Sequence, residues 1–576
     1  MGKHLSVCTN ILVTLFSLHH NIMVNSCSAC GLPPLPNKVL LKCTRCEQAW
    51  YHDKQCQQDH YPKHKAECRR IAAANKKKPS KTSTSTFVRK PMVDCKYIEG
   101  KGRSLFATEP LDIGCHPLDG LCQAVAHPVL IESMRKSRCA YCFQPTTIQN
   151  HNTSSLHCHC SQKCQATDKN WLAETHAMKR LPSPPSPTAL SCSRILRQFK
   201  ESPESMIEYN KLCYNIDLLS EEEKESYKTI MNQCHIFLRA MEDTTTAKMA
   251  YDMIHPDPTP AFQFMSRMSM NGFTISNSEQ RAIGHGLYVG AASTINHSCR
   301  PNCVPTFWLR PSSPPVLQIT VCRSVNVGDE LSISYCDTST PRHIRRGTLW
   351  ENYKFVCQCS SCNDTKRDDD VVGLKCTTNN CCKGRVESIA MSTNDFENRG
   401  YKCNSCGNTD FDCALKAQSD SIVELRHFES TMNDSNYKFD NNDGEDIRKV
   451  YEKLKQHCKV QSSYYSVLSA DVFIYWCSNT LKYMNNEQEQ LGICHGALVV
   501  LNESRLAAQL CMKYPGNLSW HVKQGMEAKL RLFVNPMDME ALEMLQNVRK
   551  EFLLYYHSSD EIILSLEESL AAYSFS

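Results

Sequence analysis

Asn296-His297-Ser298-Cys299-Arg300-Pro301-Asn302-Cys303 is the stretch around which the fold of this 576-residue chain is read. Downstream come Gly328-Asp329-Glu330-Leu331-Ser332-Ile333-Ser334-Tyr335 and then Phe355-Val356-Cys357-Gln358-Cys359-Ser360-Ser361-Cys362. Upstream stand Asn271-Gly272-Phe273-Thr274-Ile275, Gly284-His285-Gly286-Leu287-Tyr288 and, much earlier, Gly100-Lys101-Gly102-Arg103-Ser104-Leu105-Phe106-Ala107-Thr108. A single glycine pair would only mark a turn. Six such stretches, taken in chain order and closing on C-x-C-x2-C, do not meet by chance.

Composition narrows the class. The length suggests several domains. Apolar residues make up 41% of the chain, enough for packed cores. A net charge of +5 is too mild to argue for nucleic acid. The 35 cysteines are the dominant signal. Disulfide-dense proteins are small, because the crosslinks replace a core they cannot build. Here the cysteines come as C-x2-C pairs with interleaved histidines, which reads as zinc. Free thiolates need a reducing compartment, so the expected location is nucleus and cytoplasm. The apolar run Ile11–Leu18 faintly resembles a signal peptide, but it is short and no A-x-A site follows. Residues 1–26 are read as a dispensable extension or weak signal-like segment, with Met23 a second candidate start. No apolar run reaches the ~18 residues a spanning helix needs, so no membrane partner is expected.

Residues 27–68 form a Cys/His block: Cys27, Cys30, Cys43, Cys46, His52, Cys56, His64 and Cys68. Eight ligands make two closed, structural zinc sites. The expected pairing is interleaved, with Cys27, Cys30, His52 and Cys56 on one ion and Cys43, Cys46, His64 and Cys68 on the other. Zinc lets so short a segment fold without much apolar burial. The order C-x2-C, C-x2-C, H-x3-C, H-x3-C resembles the MYND finger, a family that usually has Cys where His52 stands. Such fingers bind proline-rich peptides or only support a neighbouring domain, so a proline-rich partner is one expectation here.

Together with that finger, the stretches quoted above resemble the SET-and-MYND family of protein-lysine methyltransferases, most closely its arthropod branch. The resemblance covers roughly residues 27–407. It implies an α+β multidomain protein: a β-rich SET fold, zinc-stabilised MYND and post-SET modules, and an all-α C-terminal domain. It implies S-adenosylmethionine as cofactor, about four to five zinc ions, and a protein substrate with a target lysine, histone or non-histone, in transcriptional regulation. Methyl transfer from a sulfonium to an amine is an in-line displacement that needs positioning more than covalent help. Tyr335 matches the family's tyrosine at the junction of the two substrates and is the catalytic expectation. Asn296 and His297 match its cofactor-binding pair, and Asn271 another contact. Lys101 and Arg103 would approach the methionine carboxylate, where positive charge and backbone amides suit an anion. Phe355 would pack on the adenine. Cys299, Cys357, Cys359 and Cys362 would share one zinc. Ser104 stands where the family usually has Gly; were positive φ needed there, the serine would cost about 1 kcal/mol or more.

Residues 139–176 sit where the family carries its finger, but only one ligand set survives. Cys139, Cys142, Cys160 and Cys164 are expected to hold one zinc, with Cys158 or His159 as substitutes. Arg180 stands at the place of the second site's last cysteine. Cys376, Cys381 or Cys382, Cys403 and Cys406 resemble a zinc ribbon. The expected domain limits are a basic linker at 69–94, the SET N-terminal part at 95–138, the reduced zinc insert at 139–180 and a linker with helical insert at 181–260. The SET core follows at 261–337, the post-SET and ribbon region at 338–407 and the helical domain at 408–576. Within these, 182–188 (PSPPSPT) reads as a stiff exposed loop, 262–336 as strands and glycine turns, and the tail as helices that cap the substrate cleft by resemblance. The competing reading is a catalytically silent zinc-finger scaffold or co-repressor. A nucleic-acid-binding zinc protein is disfavoured, because no finger has C2H2 spacing with a base-reading helix.

Overall fold

The computed structural model describes residues 41–43, 50–51, 53–58, 61, 65, 92–146, 157–378, 384–389, 400–432, 441–459, 463–481 and 486–573. Two compact units are resolved by contacts: His19–Lys90, and a body made in the main of Pro91–Ser576. In the first, Leu41–Lys42 pairs antiparallel with Trp50–Tyr51, and Tyr51 is buried. Among the described helices none is long and apolar enough to cross a membrane.

The larger unit mixes small sheets with helices. Val93–Ile98 and Gly102–Ala107 form a hairpin. Its turn needs Gly100 and Gly102, both at φ +76, with Lys101 N–H donating to Ile98 O at 3.0 Å. Ala282–Gly290 is the central strand of a second sheet and pairs with Cys122–Ala124, Val129–Leu130 and Gly272–Ser276. Cys303–Trp308 pairs antiparallel with Val316–Val321. Two very short strands, Asn296–His297 and Ser332–Ile333, run parallel and bring the first and second quoted stretches side by side. Leu105, Ile283, Ile295, Phe307, Ile319 and Ile333 are among the buried apolar residues that these strands share.

A helical insert follows the first strands. Helices Pro187–Glu201, Glu221–Ala240, Thr244–Asp252 and Thr259–Asn271 bury Leu196, Met231, Leu238 and Phe264. Glu221–Ala240 starts on a full capping box between Ser220 and Glu223, as its S-E-E-E run invites. Two expectations change here. The Pro/Ser stretch is not a wholly exposed loop: Ser186 caps helix Pro187–Glu201, Pro187 takes its first position, and Pro185 is buried. The strands expected from 262 begin only at Gly272, because Thr259–Asn271 continues as helix with Ala261, Phe264 and Met265 on its buried face.

The tail is helical, with Asp412–Met432, Asn441–His457, Tyr464–Leu481, Glu487–Met512, Leu518–Val534, Met539–Phe552 and Glu561–Tyr573 each packed on the next. Leu425, Leu545, Val548 and Phe552 are buried, while Ile422, Phe428 and Leu542 pack at the core's edge. The tail's core takes in Val304, in the strand Cys303–Trp308, and Cys322, just after the strand Val316–Val321. Gly516 permits this approach: a Cβ there would lie 2.6 Å from Val304 Cγ2 and 2.8 Å from Cys322 Sγ.

Candidate active site and zinc centres

The two short parallel strands set the centre of the site. Ser298 N–H donates to Ile333 O at 2.9 Å, and Asn302 Oδ1 accepts from Ser332 N–H at 2.8 Å. Asn296 and His297 are thereby held beside the strand that leads into Tyr335. Asn296 Nδ2 donates to Ser104 Oγ at 2.7 Å, and to Arg103 O and Glu330 Oε1 at 3.2 Å each. Those three acceptors fix which way the carboxamide turns. They leave its Oδ1 as an acceptor with no donor among the described residues.

The Ser104 expectation is revised by this arrangement. Ser104 lies in the regular strand Gly102–Ala107 and is not among the positive-φ residues. Gly100 and Gly102 carry that conformation, so the serine brings no backbone strain. Its side chain is fully buried and serves as the nearest partner of Asn296. A Cβ on Gly100 or Gly102 would meet nothing within 4 Å, so the turn borders open space.

Other predicted residues surround this centre with their groups already engaged. Lys101 Nζ pairs with Glu330 Oε2 at 2.8 Å, and its side chain is 58% exposed. Burial raises the Glu330 carboxyl, but Lys101 and Asn296 overcome this and hold it below its ordinary value. Lys101 is thus a paired cation rather than a free one. Arg103 donates to Lys211 O at 2.9 Å, and Asn271 Nδ2 donates to Cys213 O and Arg267 O at 2.8 Å each. These bonds tie the segment 211–213 to the rim of the site.

Tyr335 is half-buried and donates its hydroxyl to Ile295 O at 2.6 Å. Burial first, then Tyr353, Cys213 and Glu330, hold its phenol above its ordinary value, so it stays protonated. Its ring lies 4.7 Å from that of Tyr353. The His297 ring sits 5.4 Å from Tyr335 and 5.9 Å from Phe355. Burial pushes the imidazole down to about 4. Helix Arg342–Tyr353 ends on Lys354 at φ +59, and this left-handed cap turns the chain to deliver Phe355. Reading the sequence did not single out Tyr353, Glu330 or the Ile295 carbonyl. Tyr353 stands two residues before Phe355, a spacing that would have flagged an aromatic pair.

Cys299, Cys357, Cys359 and Cys362 converge beside Tyr335. Cys299 Sγ is 3.9 Å from Cys357 Sγ and 3.5 Å from Cys362 Sγ. Cys139, Cys142, Cys160 and Cys164 form a second group, with Cys142–Cys160 at 3.4 Å, Cys160–Cys164 at 3.5 Å and Cys142–Cys164 at 3.6 Å. Cys376, Cys403 and Cys406 form a third, with Cys376–Cys406 at 3.6 Å. Sulfurs bound at ~2.3 Å around a tetrahedral zinc lie ~3.8 Å apart, whereas a disulfide needs ~2.05 Å. The donor chemistry and spacing fit zinc. Neither proposed substitute in the insert joins that group: His159 bonds Asp168 at 3.0 Å, and Cys158 Sγ bonds Lys136 O. In the N-terminal unit Cys43 is buried and Cys56 half-buried, with Cys56 N–H on Asp53 Oδ1 at 2.8 Å. The expectations on Cys27, Cys30, Cys46, His52, His64, Cys68, Cys381 and its alternative Cys382 lie outside the described residues. We expect Cys160→Ser to lower the metal content, counted by elemental analysis, by one zinc per chain; an unchanged count would remove the insert from the zinc sites.

Comparison with known proteins agrees with this layout. Residues 197–336 match the SET domain model and residues 27–68 the MYND finger model. The chain thus carries a SET-domain match and a MYND-finger match. It is 30% identical over 223 residues to human histone-lysine N-methyltransferase SMYD3, covering 37% of this chain and 48% of that protein. It is 25% identical over 289 residues to human N-lysine methyltransferase SMYD2, covering 48% and 61% respectively. The zebrafish (Danio rerio) SMYD2-A shows 27% identity over 281 residues, 47% of this chain and 60% of its own length. The chain thus spans about half to three fifths of the length of these relatives.

Proposed function

We propose that this chain is an S-adenosylmethionine-dependent protein-lysine N-methyltransferase. The observation that carries the proposal is the meeting of Tyr335, Asn296 and His297 at one parallel strand pair, against a four-cysteine group. The relatives named above are lysine methyltransferases by their names, SMYD3 a histone-lysine one. S-adenosylmethionine supplies a methyl group on a sulfonium when bound.

On this reading Asn296 presents its free Oδ1 to a donor on the cofactor, and the glycine turn at Gly100–Gly102 gives room for the methionine end. Arg103 and Asn271 hold the 211–213 segment as one wall. Phe355 offers an apolar ring for the adenine, and Tyr335 orients the incoming lysine nitrogen beside Ile295 O. The helical tail bounds the substrate side: burial and then the Asp337 carboxylate, two residues beyond Tyr335, raise the tail phenols Tyr464 and Tyr514. The substrate is a lysine of a histone or non-histone protein, the setting nuclear and cytoplasmic, and the outcome a change in transcription. The N-terminal finger recruits a proline-rich partner.

Calorimetric titration of S-adenosylmethionine into zinc-loaded protein, with Asn296→Ala as control, is the test. Saturable binding that the substitution abolishes supports the proposal. No binding by folded, zinc-replete protein would overturn it in favour of a silent scaffold. The same titration bears on Ser104. Removing its hydroxyl costs Asn296 its shortest bond, about 1 kcal/mol. Ser104→Ala is therefore expected to weaken cofactor binding about fivefold; an unchanged Kd would show that Arg103 O and Glu330 suffice.

A further inference from the structure

His297 was assigned a cofactor-binding role from the sequence, yet both nitrogens of its ring are already engaged within the protein. Tyr335 N–H donates to His297 Nδ1 at 3.0 Å. An N–H can only meet a lone pair there, so Nδ1 carries no proton and the ring proton sits on Nε2. His297 Nε2 lies 3.2 Å from Cys299 Sγ. The Nε2–H therefore points its only donor at a sulfur of the post-SET cysteine group.

That group needs donors. Four thiolates on one zinc ion carry two net negative charges, and Cys299, Cys357 and Cys362 are buried. Buried charge must be met by hydrogen bonds or opposite charge. The Arg345 guanidinium, itself buried, lies 3.8 Å from Cys362 Sγ and also bonds Thr340 O. Arg345 serves one thiolate and His297 another.

We propose that the His297 imidazole is a positioning bridge, which joins a zinc-bound Cys299 thiolate to the backbone of Tyr335 and does not touch the cofactor. The proposal rests on the zinc and methyltransferase reading above. Its geometry is a chain of three links: Cys299 sulfur, imidazole, Tyr335 amide. The same residue carries the phenol that donates to Ile295 O. The metal site thereby sets the height of Tyr335 over the site. Partners of this kind around a metal ligand change metal affinity or activity by about 10- to 100-fold when removed.

Two variants separate the halves of the bridge. The Asn oxygen falls near the place of Nδ1, so His297→Asn keeps an acceptor for Tyr335 N–H and loses the donor to Cys299. The Gln nitrogen falls near the place of Nε2, so His297→Gln keeps the donor and loses the acceptor. Zinc transfer to a colorimetric chelator is followed in the full chain, and the phase missing in Cys359→Ser marks this site. His297→Asn is expected to speed that phase about tenfold or more, with His297→Gln near wild type. The calorimetric Kd for S-adenosylmethionine should stay within about twofold in both, while kcat on lysine peptides falls in both.

Equal release rates in wild type and His297→Asn would overturn the bridge. So would a Kd weakened tenfold in both variants with release unchanged, since the ring would then touch the cofactor. If wild type shows no phase that Cys359→Ser removes, the zinc assignment itself fails. If zinc behaves as described but wild type binds no S-adenosylmethionine, the methyltransferase reading fails and the bridge stands as a zinc contact.

Discussion

Tyr335→Phe is expected to reduce methyl transfer by about a hundredfold to a thousandfold, the scale of losing one preorganised hydrogen-bonding group at a reacting centre. S-adenosylmethionine binding should persist, because Asn296 and the glycine turn are untouched. The phenol is protonated and directed at Ile295 O, so its oxygen is fixed with lone pairs to spare for the incoming amine. Removing it loses that orientation and leaves the ring. The same change leaves the Ile295 carbonyl without its donor, an expected loss of about 1–3 kcal/mol in stability. Loss of turnover therefore has to be read with thermal unfolding beside it. Tyr353→Phe is the control: it keeps the neighbouring ring at 4.7 Å and leaves the Tyr335–Ile295 bond in place. Turnover by radiolabelled methyl incorporation, at saturating cofactor, separates the two. A Tyr335→Phe protein as active as wild type would remove Tyr335 from the chemistry.

The sequence was most legible where chemistry is local. Zinc ligands announce themselves by spacing, because a short chain segment must place two thiolates within one coordination sphere; C-x-C-x2-C at 357–362 and C-x2-C at 139–142 both gather in space. The helical tail was legible through its apolar period, and Leu545, Val548 and Phe552 do face inward. What could not be read were contacts between distant segments. Nothing in Ser104 alone tells that its side chain meets Asn296, 192 positions away, so a substitution that looked like backbone strain is in fact a hydrogen-bond partner. Lys101 looked like a free cation because Glu330 lies 229 positions away. For His297 the motif fixes the residue but not which atoms its ring nitrogens meet, Tyr335 N–H and Cys299 Sγ. Pro185 and Pro187 show the limit of composition, since a proline-rich stretch also starts helices.

The reduced insert leads to the second large effect, Glu174→Gln, which should cost about 3–5 kcal/mol, the range for a buried pair broken on one side. Sequence comparison left this region with a single zinc set and Arg180 where a second set would end. Arg180 turns outward to Glu242, at 2.6 Å and well exposed. Inside, the structure holds an ion cluster. Glu174, with a fully buried side chain, accepts from Arg194 Nε at 2.8 Å and Nη2 at 2.7 Å, and lies 3.2 Å from His157. Arg194 Nη1 also donates to Pro128 O at 2.7 Å. Helices Trp171–Lys179 and Pro187–Glu201 and the 127–128 turn are thus tied at one point. Burial alone would raise the Glu174 carboxyl; the charge and bonds of Arg194, then His157, hold it far below the usual carboxylate range. A depressed acid contributes stability above its unfolded value of about 4, and that contribution is lost as pH falls toward the folded value. The gap in Tm between wild type and Glu174→Gln should therefore be widest at neutral pH and narrow below about pH 4. Replacing both charges, Glu174→Leu with Arg194→Met, should cost less than either single change, because no charge is then left buried alone. A double variant as damaged as the sum of the singles would mean that the pair holds the insert through shape, and that its two charges are not coupled.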